Sequence, residues 1–219
     1  MTMLTKMIRS TPVPALKDFF ENRYEDLPAN LNWAGTDQEI TSSLLNAIEN
    51  MTEEGRLRVV NDAERVSAMA DEPGQTALYG VIDDRAVLDG LANAHDRAFW
   101  VFLNQRVSFR HAEEVRFTDE RRRGRSWDGF IGEVDCTVRR DQVSISDFRA
   151  ALRERFASNN VQVDIFRRVR PTFDGEDCEL VQITVYREGL PNDHFAFDDG
   201  GELIRRAYRP VFEAAMTYE

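Results

Sequence analysis

The residue types able to do chemistry gather in one stretch, between Ala98 and Phe130. The first cluster is His111-Ala-Glu113-Glu114, with Asp119 and Glu120 just beyond. On a helix, His111 and Glu114 lie three apart and share a face, a spacing that two metal ligands can use. A metal held by His111, Glu113, Glu114 and Asp119 would support hydrolysis of a phosphoester. The second His of an HExxH motif is missing, so the competing reading is a solvated charged helix or loop.

The second cluster is Arg121-Arg122-Arg123-Gly124-Arg125-Ser126-Trp127. Four guanidinium groups within five positions, beside an aromatic ring, suit a phosphate or a stacked base. The acids Glu113, Glu114, Asp119 and Glu120 stand directly upstream. They point to a salt-bridged hinge instead, with exposed arginines at the junction of two parts. The third cluster is Asp193-His194 with Asp198 and Asp199, where a carboxylate could orient a histidine base. No nucleophile accompanies it, because Ser126 sits in Gly-Arg-Ser-Trp-Asp rather than a GxSxG elbow. Asp198-Asp-Gly-Gly201 already reads as a hairpin turn.

Other chemistries lack their residues. Cys136 and Cys178 are the only cysteines, and neither sits in a CxxC pair or a Cys/His group, which argues against a zinc site. Cys136 falls on the apolar phase of an expected strand and should be a buried, inert thiol. No glycine-rich strand-to-helix turn exists to cradle a nucleotide phosphate. The sequence therefore implies no cofactor. The net charge of −11 argues against a general nucleic-acid coat. Residues 1–105 hold 17 acidic and 9 basic residues, against 22 and 19 in residues 106–219, so most of the excess lies in the first part. Lys6 and Lys17 are the only lysines among 28 basic residues. GC-rich codon usage explains that bias as well as planar anion recognition does.

The elements that must position these groups follow from periodicity. The N-terminal MTMLTKMIRSTPVP has no signal-peptide core and reads as a short strand or a disordered lead-in. A short helix is expected over Ala15–Arg23, with Leu16, Phe19 and Phe20 on one face. Thr36-Asp-Gln-Glu39 is a capping box that starts a helix carrying Ile40, Leu44, Leu45, Ile48 and Met51 inward. A second helix runs over Thr52–Ala70 with Leu57, Val60, Ala63, Val66 and Met69 inward, and Asp71-Glu-Pro-Gly74 breaks the chain. Gln75–Ile82 fits either a strand or a helix. Asp83 or Asp84 then caps one long helix reaching Gln105, whose wide stripe holds Phe99 and Phe102 and includes His95 as a core histidine.

From Gly129 the period becomes two: Phe130, Val134, Cys136 and Val138 alternate with polar residues. Ser144 or Ser146 caps a helix with Phe148, Leu152 and Phe156 inward. Strands follow at Val161–Ile165, Leu180–Tyr186, Phe195–Phe197, Leu203–Arg206 and Val211–Tyr218. The expected fold is α+β: a helical part over residues 1–105, a charged connector over 106–128, and over 129–219 a mixed or antiparallel sheet with one covering helix. No apolar run approaches the roughly 20 residues of a membrane helix.

The function these observations favour is a cytoplasmic protein–protein interaction or adaptor protein that is not an enzyme. Its partner would be another protein, met by the acidic helical part or by the edge of the last strand. The rivals are the metal-dependent phosphoester hydrolase built on His111, Glu113, Glu114 and Asp119, and a nucleic-acid-binding module built on Arg121, Arg122, Arg123, Arg125 and Trp127. The missing disulfide framework points to the cytoplasm.

Overall fold

The computed structural model describes residues 3–24, 31–122, 127–132, 136–171 and 176–218. The chain divides into two compact units, Met1–Asp119 and Glu120–Glu219. The architecture is α+β, with helices first and antiparallel strands after them.

The first unit is helical throughout its described residues. The expected strand or lead-in at the N-terminus is helix α1, Met3–Ser10. Met7 and Ile8 are buried there, and with Met3 and Leu4 they form two pairs at helical spacing. Eight residues are too few for that period to identify itself without a neighbour to pack on. Helix α2 (Val13–Arg23) carries Pro14 in its first turn and buries Leu16, Phe19 and Phe20. Helix α3 (Asp37–Glu49) begins at the capping box: Thr36 accepts from the Glu39 N–H, and the Glu39 carboxylate accepts from the Thr36 N–H at 2.7 Å.

Helix α4 (Glu53–Ala68) buries Val59, Asp62, Ala63 and Val66. Leu57, expected inward, is 61% exposed. The buried face is rotated because a carboxylate, Asp62, occupies the position that periodicity assigns to an apolar side chain. The break at Asp71 is a helix start. The Asp71 side chain accepts from the Gly74 N–H and Pro73 sits in the first turn of α5 (Glu72–Val81), which makes Gln75–Ile82 helical.

The single helix expected from Asp84 to Gln105 is two. Helix α6 (Arg85–Asp89) ends at Gly90, and α7 (Ala94–Asn104) restarts at Asn93, whose side chain accepts from the Asp96 N–H. The apolar stripe hid the break because Leu88 on one side and Ala98 and Phe99 on the other are all buried. Helix α8 (Arg106–Arg122) takes up most of the charged stretch and buries Phe109, Ala112 and Val115. The core of this unit is a chain of rings: Phe19 meets Phe99 edge-on at 4.9 Å, and Phe102 meets Phe109 at 5.0 Å. Such contacts add about 0.5–1.5 kcal/mol each to the burial of the rings.

In the second unit the described residues of the strand expected over 129–138 form no strand; residues 133–135 lie outside the described residues. Residues 127–132 and 136–140 have no regular structure, and Phe130 and Ile131 are 92% and 103% exposed. Alternation is only half of a strand; the other half is a ladder partner, and the described residues of this segment have none. Cys136, expected buried, is exposed for the same reason. Val134 lies outside the described residues.

Helix α9 (Gln142–Phe156) is capped by Asp141 rather than by Ser144 or Ser146. The carboxylate of Asp141 accepts from the Ser144 N–H at 2.9 Å and from its hydroxyl at 2.7 Å. The strands are β1 (Val161–Pro171), β2 (Asp177–Glu188), β3 (Asn192–Phe197), β4 (Leu203–Tyr208) and β5 (Val211–Tyr218). A three-stranded antiparallel sheet has the order β1-β2-β5, and β3-β4 is a separate two-stranded ribbon. Register places Val163 opposite Val185 and Ile165 opposite Ile183, and Phe148 and Leu152 of α9 pack on that face. Phe156, expected inward with them, is 43% exposed. No helix among the described residues is long and apolar enough to cross a membrane.

Candidate functional site

Helix α8 carries the first predicted cluster, and its charges are used within the helical unit. Glu113 accepts two bonds from Arg65 of α4, each at 2.7 Å, a fork-on-fork pair. That carboxylate holds the Arg65 guanidinium above its ordinary value. Arg116 makes the equivalent pair with Asp71, at 2.8 and 2.9 Å, and also donates to the carbonyl of Ala68. Glu114 is buried and its carboxylate lies 3.6 Å from Arg110. His111 and Asp119 are half-buried on the same helix. Among the described residues no group of three His, Cys, Asp or Glu side chains is placed to hold a metal. Both oxygens of Glu113 are already committed to a cation. The cluster thus ties α8 to α4 and α5.

Of the second cluster, Arg121 is exposed on the last turn of α8 and Trp127 is 48% exposed. Arg123, Arg125 and the side chain of Arg122 lie outside the described residues.

The third cluster is split by strand geometry. Asp193 and His194 are consecutive in β3, so their side chains point to opposite faces. Asp193 accepts from Arg205 at 2.9 and 3.0 Å, while the His194 ring meets Tyr208 edge-on at 5.1 Å. Asp198 accepts from the N–H groups of Gly200 and Glu202, each at 2.9 Å, and Gly201 takes φ +81°. That conformation suits glycine, and this aspartate is spent on the turn.

A polar network that sequence reasoning missed lies inside the helical unit. Asp62 accepts from Arg23 Nε and from the Tyr24 hydroxyl, both at 2.7 Å, and Arg65 stands 3.8 Å away. The guanidinium of Arg23 also lies 4.5 Å above the Phe102 ring. Burial, reinforced by the bond to Asp62, pushes the Tyr24 phenol above its ordinary value. The signal available in the sequence was Asp62 itself, an acid in the apolar phase of α4. His95 differs from a satisfied core histidine: it is half-buried, its Nε2 has no hydrogen-bond partner among the described residues, and burial followed by the charge of Lys6 lowers its pKa.

A cleft of about 600 Å³ lies where α1, α2 and the start of α3 meet. Two of its polar groups serve the backbone: Thr11 donates to the Met7 carbonyl and Asn93 to the Ser10 carbonyl.

The exposed apolar surface is concentrated in the sheet unit. The β3-β4 ribbon inserts between β2 and β5, and its base is closed by the Gly189 N–H donating to the Pro210 carbonyl at 2.7 Å. A Cβ at Gly189 would stand 2.5 Å from the Phe212 ring, so a larger residue there would require that ring to move. Register puts Phe195 and Phe197 of β3 on the same face as Arg205 and Leu203 of β4. Phe195, Phe197 and Leu203 are 61%, 68% and 58% exposed. Arg205 lies 4.5 Å over Phe195 and holds Asp193 at the edge of the patch. On β5, Phe212 and Met216 are also exposed. No family model, no curated protein and no solved structure matches this chain. The functional reading therefore rests on the geometry above.

Proposed function

We propose that this protein is a non-catalytic protein–protein interaction or adaptor protein of the cytoplasm, and that its contact surface is the exposed β part of the sheet unit. One observation carries the reading: Phe195, Phe197 and Leu203 share one open face of a two-stranded ribbon. A two-stranded ribbon is marginally stable in water without something packed on it. Contiguous exposed apolar side chains rimmed by charges, here Arg205 and Asp193, are a common form of contact surface. The predicted chemical clusters favour the same reading, since Glu113 and Asp193 are each held by an arginine.

The test is affinity capture with the intact chain and with a Phe195→Ser, Phe197→Ser variant whose circular dichroism matches it. Both residues are exposed, so the fold should tolerate the change. Proteins enriched by the intact chain and lost from the variant support the proposal. Identical sets of captured proteins overturn it.

A further inference from the structure

Among the described residues the three-stranded sheet has two edge strands, β1 and β5, and they are built differently. Edge β1 reads VQVDIFRRVRP, with an acid, three arginines and a terminal proline. Arg149 of α9 also donates to the carbonyl of Val163 in β1 at 3.3 Å. Charges, proline and a covering side chain are the devices that stop an edge from pairing. Edge β5 reads VFEAAMTY, with one charge, no proline and no lysine. Its register with β2 runs without interruption from Val181↔Tyr218 to Glu188↔Val211, so no bulge turns it away. Helix α9 packs with β1, and Phe212 and Met216 remain exposed at the β5 side.

From this contrast we propose that β5 is a self-association edge: two copies of the chain pair β5 with β5, antiparallel about Ala215, into one six-stranded sheet. The proposal rests on the interaction reading above and names the occupant of one part of that surface. Two-fold symmetry normal to the sheet requires paired residues to share a face, hence the same parity in the strand. Centring on Glu213 would set two carboxylates against each other. Centring on Ala215 pairs Phe212 with the partner's Tyr218 and Ala214 with the partner's Met216. Ring meets ring, and large meets small, across the new seam. Charge also permits it: residues 106–219 hold 22 acidic and 19 basic residues, and most of the net charge of −11 resides in the first part.

The experiment uses the full chain with Cys136→Ser and Cys178→Ser as background. Ala215→Cys then places two thiols opposite each other at the axis. Ala214→Cys places them about 8 Å apart between Cα atoms, beyond disulfide reach. The expected result is an air-oxidised disulfide dimer for Ala215→Cys and none for Ala214→Cys. The intact protein should sediment as two 25.2 kDa chains. The double variant Ala214→Lys, Met216→Lys changes two exposed positions and sets lysine against lysine twice, so it should sediment as one chain while keeping its circular dichroism. A monomer at every concentration without the Ala215→Cys crosslink overturns the proposal, and a crosslink at 214 instead of 215 overturns the register. Ribbon-dependent capture can fail while the crosslink forms, or succeed while it does not, so the two readings fall separately.

Discussion

Replacing Asp62 with Ala probes why a charge sits in the apolar face of α4. The carboxylate is 8% exposed and its partner Arg23 is 24% exposed. Breaking a buried ion pair by removing one partner costs about 3–5 kcal/mol, because the remaining charge stays desolvated. The partial exposure of Arg23 and its seat on the Phe102 ring place the expected cost at the lower end, about 3 kcal/mol. Loss of the acceptor for the buried Tyr24 hydroxyl is part of that figure and does not add to it. Asp62→Asn keeps an acceptor for Tyr24 but removes the charge, and should cost about 1.5–3 kcal/mol. The assay is urea unfolding followed by tryptophan fluorescence in a Trp127→Phe background, so that Trp33 and Trp100 report on the helical unit alone. If Asp62→Ala costs less than about 1 kcal/mol with an unchanged urea slope, the network does not hold α2 to α4, and the account of the rotated α4 face fails.

Two further outcomes follow from the same unit. Phe99 is fully buried and packed edge-on against Phe19, so Phe99→Ala should cost about 3–5 kcal/mol by the same fluorescence assay; a cost below about 1 kcal/mol would contradict its burial. Tyr24 ionises at a higher pH folded than unfolded, since burial and the Asp62 bond both favour its neutral form. Its contribution is therefore fully present below the unfolded value of about 10 and is lost as pH rises beyond it. Urea midpoints measured from neutral to alkaline pH should fall more steeply above about pH 10 in the intact protein than in Tyr24→Phe; parallel curves would contradict the shift.

Sequence by itself determined the fold class and several features that local chemistry fixes. The capping box at Thr36–Glu39 and the Asp198–Gly201 turn are closed by atoms within four residues of each other, so their residue types suffice. Long apolar stripes fixed α3, and strict alternation with β-branched residues fixed β1 and β2. What the sequence left open depends on partners distant in the chain. Phe130, Cys136 and Val138 fall on an alternating phase as in β1, but a strand exists only where another strand accepts its hydrogen bonds, and these described residues are in none. Asp62 faces inward because Arg23 and Tyr24, about forty residues earlier, arrive to meet it. Glu113 reads as part of a chemical cluster by proximity in sequence, while Arg65 claims it in space. Exposure of Phe195, Phe197, Leu203 and Phe212 was equally invisible, since apolar alternation announces a face that wants cover, and only the tertiary structure decides whether the chain itself provides it.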